Sequence, residues 1–464
     1  MKKRGLRSYP AVCMLIGVAL ILIAGCGQSY YFGGRALPPS GILNRVMIAI
    51  QNVGITGSGS LAIVDGYYDI RHSFNNITPS FAISGYSAPD PITIQNMPEQ
   101  QLGAVYAAGN GTFTLVNYGS ESQVSAISGL AGLSSSIFIS RDQNYVFAAS
   151  QQSQVLTVID RTLSVGGTYT LNVPNVWRVS INPGATVALA FAENSNALYR
   201  VFKLQANQAP PSNAVDCEPQ NLPVYCVIPV PGSFDRPIKA VFSSDGTTAY
   251  VLNCGPECGG KQASVSFLPT TGLLIQSGSP VPPGAKTAVT ATVPIPGGAT
   301  NALATTNTLY LAGQQLQSDG LFAGYLTLLD LASQKISGQF PISDGSHTQM
   351  VMADDNTLWI GSQLCEDGQR AHELEDGVAL QVGCLAMFNT ANNSVTMIDA
   401  YKGDATGVAA VTGLHKVYTA EGGQVYIYST TNGATLDNSN VTVTGTAYAV
   451  AYIDAASDDD NTTY

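Results

Sequence analysis

The sequence predicts an all-β chain folded as a closed β-propeller of eight four-stranded blades. Three observations carry that expectation. Short strands rich in Val, Ile, Tyr and Thr recur between turns of Gly, Asn and Asp, and no amphipathic helix intervenes. One strand of each unit returns at a regular pitch along the chain. The first unit lacks a strand that reappears near the last residue.

The clearest unit runs Ile137-Phe138-Ile139-Ser140, a turn at Arg141–Asn144, Tyr145-Val146-Phe147-Ala148-Ala149, then Val155–Asp160 and Tyr169–Val173. A second reads Lys239–Phe242, Ser243-Ser244-Asp245-Gly246, Thr248–Asn253 and Ser264–Phe267. The second strands are anchored at Met47, Tyr106, Tyr145, Ala188, Tyr250, Tyr310, Trp359 and Tyr418, at spacings of 59, 39, 43, 62, 60, 49 and 59. Propeller blades repeat at about 40–50 residues, so the excess belongs to loops. First strands start near Pro91, Ser135, Val176, Pro237, Thr300, Thr348 and Thr406, but none precedes Met47. Ala447–Ile453 supplies it, completing the blade begun by Arg45–Asn52 and leaving no bare sheet edge. Seven blades is the alternative, if residues 75–99 are irregular. The recurring Tyr and Trp read as inter-blade packing, and Asp245-Gly246 and Asp355-Asn356 as turns.

These units resemble the YVTN repeats of bacterial β-propellers: a strand, a Ser-x-Asp-Gly turn, a Tyr-Val strand and a Val-x-Val-Ile-Asp strand. The N-terminus resembles a lipoprotein signal. Lys2, Lys3, Arg4 and Arg7 precede an uncharged Ala11–Ala24, too short for a span of about 20 residues but suited to a signal peptide. Leu22-Ile23-Ala24-Gly25-Cys26 is similar to a lipobox, which implies cleavage before Cys26 and acylation of its thiol and amine. Gly27 after the cysteine resembles outer-membrane sorting in diderm bacteria. The alternative is an uncleaved anchor or an ordinary signal peptide. The expected organisation is therefore signal 1–25, tether 26–43, propeller 44–455 and acidic tail 456–464. Localisation is expected at the cell envelope, held there by lipid.

Losing the signal removes four of 20 cations, leaving 16 against 31 acids and a formal charge of about −15. That balance disfavours nucleic acid, whose phosphates need cationic partners. Beyond Cys13 and Cys26, six cysteines form three local couples: Cys217 with Cys226, Cys254 with Cys258, and Cys365 with Cys384. Six cysteines allow fifteen connectivities, so other pairings stay open. A redox or metal reading of Cys254–Cys258 lacks a second Cys couple or a nearby His at zinc spacing.

In a propeller, second-to-third connections and blade-to-blade connections share one face. Two insertions on that face, Asn253–Gln262 and Ser362–Gly383, each hold a cysteine couple; Cys217 and Cys226 belong to the opposite end. The second insertion carries Glu366, Asp367, Arg370, His372, Glu373, Glu375 and Asp376. It reads either as a cation- or partner-binding loop or as a solvated hairpin. Trp177, Arg178, Lys239, His347 and Gln349 start inner strands there, an aromatic with cations suited to a sugar or an acidic ligand. No Gly-x-Ser-x-Gly, His-Glu-x-x-His or Walker motif occurs, and no cofactor or metal is expected. The preferred reading is a binding module for a protein or glycan. The alternatives are a lactonase- or lyase-type propeller enzyme, by resemblance of fold, and an envelope scaffold.

Overall fold

The computed structural model describes residues 35–457 except 54–56, 71–80, 129, 131, 164–166, 206–207, 219–223, 277–286, 319, 366–382 and 399–401. The expected signal segment, Cys26 and Asp458–Asp460 lie outside the described residues. So do Glu366, Asp367, Arg370, His372, Glu373, Glu375 and Asp376.

Eight antiparallel sheets follow one another along the chain. Blade 1 joins Arg45–Val53 and Ser58–Asp65 to the C-terminal strand Thr446–Tyr452. Blades 2 to 8 begin with inner strands Pro91–Met97, Ser136–Ile139, Val176–Ile181, Pro237–Phe242, Asn301–Ala304, Ser346–Ala353 and Ala405–Val411. Inner strands pack on inner strands around the circle, from Thr446–Tyr452 against Pro91–Met97 to Ala405–Val411 against Thr446–Tyr452. Between blades 2 and 3 the contact is a side-chain clamp: Gln95 receives the Ile139 amide at 2.8 Å and donates to its carbonyl at 2.5 Å. The eight-bladed, ring-closed propeller expected from the repeat pattern is the fold observed.

Two blades depart from four strands. Blade 4 has a fifth, Asp216–Glu218, on the outer side of Tyr225–Pro229. Cys217 and Cys226 face each other across that pair and are disulfide-bonded, with Cα atoms 4.0 Å apart, so the connection between third and fourth strands becomes an added edge. Blade 1 has three described strands. Its fourth place is taken by Phe81–Ile83, through Ile63 N–H to the Phe81 carbonyl and Ile83 N–H to the Leu61 carbonyl, both 2.9 Å.

Ring closure rests on pairing and on charge. Val46 opposes Tyr452 and Ile48 opposes Val450. Just beyond this ladder Arg45, only 2% exposed, makes a buried fork to Asp454 through Nε (2.9 Å) and Nη2 (2.6 Å). Its Nη1 reaches Glu121 of blade 2 at 3.0 Å and also donates to the Tyr118 carbonyl. One guanidinium thus ties the second strand of blade 1, the turn that follows Thr446–Tyr452 and the neighbouring blade.

Second strands lie in mid-sheet with both faces covered, so they read as continuous apolar runs. Met47, Tyr106, Ala188, Trp359 and Tyr418 are all buried. Trp359 packs on Tyr428 of blade 8 with ring centroids 5.8 Å apart. Removing an aromatic from such a contact costs about 3–5 kcal/mol. At the Asp245 turn, Ser243 Oγ and Thr247 N–H both donate to the carboxylate, and Gly246 sits at φ +68°. Asp355 and Asn356 hold the left-handed region at their own turn.

Candidate functional site

Every inner strand enters its sheet with one extra residue. In six blades the register shifts between Pro91 and Thr93, Val176 and Arg178, Pro237 and Lys239, His347 and Gln349, Ala405 and Gly407, and at Tyr448 opposite Ala49/Ile50. In the other two, Ser135 and Ser136 both address Ala149, and Thr300 and Asn301 both address Ala312. Such bulges re-aim the side chains around them. The residue after the bulge therefore holds one equivalent place in all eight blades: Ala449, Thr93, Ser136, Arg178, Lys239, Asn301, Gln349 and Gly407.

This belt lies at the start of the inner strands, on the face that carries the second-to-third connections. Its members reach round the circle. Ser136 Oγ accepts the Val179 amide at 3.2 Å, and Lys239 Nζ donates to Asn301 Oδ1 at 2.7 Å. The belt is lopsided. Arg178, Lys239, Asn301 and Gln349 are long and polar on four successive blades, whereas the other four positions hold small residues. At Gly407 a Cβ would lie 2.9 Å from Ala449 Cα and Val450 N, so the two backbones approach because no side chain is there.

Trp177 and Arg178 work as a unit. The guanidinium lies 4.1 Å from the centroid of the indole, which is itself half-buried between the apolar clusters of blades 4, 5 and 6. Stacking on a fixed ring orients the planar fork. Burial pulls the Arg178 pKa down to about 10. Burial, together with the field of Arg178, pulls Lys239 down to about 7. Asn301, absent from the sequence-based candidates, is drawn in by its bond to Lys239; only the bulge alignment reveals its equivalence to Arg178.

His347 stands elsewhere. It precedes the bulge, pairs with Ser362, is 3% exposed, and its Nε2 lies 2.7 Å from the Ser343 carbonyl. Burial pushes its pKa down to about 4, so it is a neutral interior group at ordinary pH. Gln349 shares the belt with Lys239, and its buried Oε1 has no hydrogen-bond partner among the described residues.

Two disulfide-bearing loops frame the same face. Cys254 and Cys258 are bonded across the single turn Gly255–Cys258, and Cys365–Cys384 closes the base of the second insertion. Glu257, a residue the sequence reading passed over, reaches from the first loop to blade 6, where its Oε2 accepts the Gln314 amide at 2.8 Å. Burial raises its pKa to about 7. Across the ring, a cavity of about 390 Å³ is lined by Gln51, Leu364, Asp404, Thr406, Gly423 and Tyr448. Among the described residues no three His, Cys, Asp or Glu side chains are placed to share a metal ion.

Neither protein-family models nor curated proteins match this chain. Solved structures do. A dihydro-heme d1 dehydrogenase, NirN, is 12% identical with a TM-score of 0.54, over 90% of this chain and 79% of that one. Hydrazine synthase of Kuenenia stuttgartiensis (14%, 0.48) is covered over 96% of its chain and 74% of this one. The Cps50 (Swd1) β-propeller domain of Myceliophteria thermophila (11%, 0.47) is covered over 97%, against 73% here. At such identities the similarity is one of fold, on which many functions are built.

Proposed function

We propose that this protein is a lipid-anchored, extracytoplasmic binding module that engages a protein or glycan through the disulfide-bearing face of its propeller. One observation carries the reading: the stacked Arg178 and the Lys239–Asn301 pair stand on a rigid eight-strand belt, on the face framed by the Cys254–Cys258 and Cys365–Cys384 loops. Loops and strand ends on a stiff scaffold are where recognition residues concentrate. A lactonase- or lyase-type enzyme calls for carboxylates or histidines converging at the channel. The belt instead presents two cations and two carboxamides, and His347 is turned inward.

Anchoring is supported by the sequence alone, through the segment ending in Cys26. Cys26→Ser is expected to move the chain from the membrane to the soluble fraction. For binding, Lys261 and Lys335 are both exposed and stand at opposite ends of their blades. Against immobilised envelope polysaccharide and protein, Lys261→Glu on the disulfide-bearing face should weaken capture and Lys335→Glu should not. Equal effects from both would overturn the assignment of the face.

A further inference from the structure

We infer that the face opposite the Cys254–Cys258 and Cys365–Cys384 loops rests on the bilayer, with Leu37, Leu43, Tyr67 and Tyr68 of the blade 1 and 2 sector in the lipid–water interface. The inference rests on the reading that the chain is anchored through Cys26, and it adds which way the anchored disc faces.

The entry of the chain comes first. Arg35, the first described residue, donates from Nη2 to the Pro98 carbonyl at 2.9 Å. Ser40 is held by Glu121, through its amide at 2.8 Å and its hydroxyl at 2.6 Å. Pro98 opens the first-to-second turn of blade 2, and Glu121 closes its third-to-fourth turn. Both kinds of turn lie on the face away from the second-to-third insertions, so the residues before the first strand run across that face. From Cys26 to Arg35 there are nine residue steps, at most about 30 Å of fully extended chain. Acyl chains on Cys26 keep this face within that reach of the bilayer, at a high effective concentration.

The surface there suits a lipid boundary. The Gly66 amide donates to the Asn44 carbonyl at 2.7 Å, which sets Leu43 beside the turn from Asp65 to Ile70. That turn is stiff: Asp65 pairs with Ile70, Asp65 Oδ1 accepts the Tyr67 amide at 2.9 Å, and Lys416 Nζ donates to the Gly66 and Tyr67 carbonyls. Its tip presents Tyr67 and Tyr68, 55% and 50% exposed, edge to face with ring centroids 4.8 Å apart. Among the described residues nine large apolar or aromatic side chains are exposed, and Leu37, Leu43, Tyr67 and Tyr68 are four of them, gathered in one sector of one face. Tyrosine, with an apolar ring and a polar tip, favours the boundary between lipid and water. Acids of this sector are turned to internal partners: Asp69 to Lys416 at 2.7 Å, Glu121 to Arg45 and Ser40, and Asp454 to Arg45. The contact is therefore interfacial rather than electrostatic, and zwitterionic lipid suffices for it.

The acylated full chain, reconstituted in phosphatidylcholine vesicles whose acyl chains are brominated close to the headgroup, tests this by tryptophan quenching. The parent, with Trp177 and Trp359, supplies the baseline. Tyr67→Trp is expected to be quenched several-fold more than Leu316→Trp, whose position is 50% exposed at the second-to-third turn of blade 6 on the other face. Unfolding scans show whether Tyr67→Trp folds, and Tyr68→Trp is the second reporter. Equal quenching at the two faces, or none at Tyr67 and Tyr68, would overturn the contact. A blue shift of Tyr67→Trp in detergent that grows with protein concentration would place a second copy on this face and overturn it as well. Flotation with the vesicles, lost in Cys26→Ser, reports the anchor separately. Flotation without quenching removes the contact and leaves the anchor standing, whereas a parent chain that does not float removes both.

Discussion

Removing Asp454 should loosen the whole ring, although the residue lies just beyond the strand Thr446–Tyr452. Arg45 is 2% exposed, and the Asp454 carboxylate meets it at 2.6 and 2.9 Å and also accepts the Arg45 backbone amide at 2.8 Å. Asp454→Ala leaves that guanidinium buried with Glu121 and the Tyr118 carbonyl, at a cost of about 3–5 kcal/mol. Unfolding entropy of about 2.1 cal/mol/K per residue gives a ring of this length roughly 0.9 kcal/mol per kelvin. The expected fall in Tm is therefore about 3–6 °C, read by calorimetry with a single cooperative transition. Arg45→Met combined with Asp454→Leu and Glu121→Gln should fall by less, since no uncompensated charge of the cluster is left behind. A Tm unchanged within 1 °C for Asp454→Ala would refute the claim that closure depends on this cluster.

Lys239 holds its proton less tightly in the native state, near pH 7, than in the unfolded chain. Between about pH 7 and 10 the unfolded state therefore binds more protons and stability rises with pH; urea unfolding at pH 6, 8 and 10 should show that rise, and Lys239→Met should flatten it. Glu257 is the opposite case, an acid raised from 4.5 to about 7. The native state keeps its proton longer, so stability falls as pH climbs from about 4.5 to 7, and Glu257→Gln should gain about 1–3 kcal/mol at pH 8 relative to the parent. The double change Cys254→Ser with Cys258→Ser opens a short loop, with a separation of only 4, and is expected to cost about 2 kcal/mol in denaturant titrations. Trp359→Ala, buried between blades 7 and 8, should cost about 3–5 kcal/mol by the same measurement.

By itself the amino-acid sequence determined the architecture. Mid-sheet strands are covered on both faces, so each second strand must be an apolar run, and anchors such as Tyr106, Trp359 and Tyr418 recur at a pitch visible without coordinates. The lone strand Ala447–Ile453 had one unfilled place to go, which is why ring closure was legible too. Cysteine couples were readable because each closes a short loop. The site was legible only in part. Arg178, Lys239 and Gln349 were found as polar residues at inner-strand starts, but whether they share a position depends on a single extra residue in each strand. A bulge leaves no signature in composition, and one residue of offset sends a side chain to the other face of its sheet. That offset put His347 inside its blade and Asn301 beside Lys239. Glu257 and Arg45 escaped notice for a related reason: their partners, Gln314 and Asp454, are 57 and 409 residues away. Burial and long-range pairing belong to the assembled ring, and only tertiary structure could decide them.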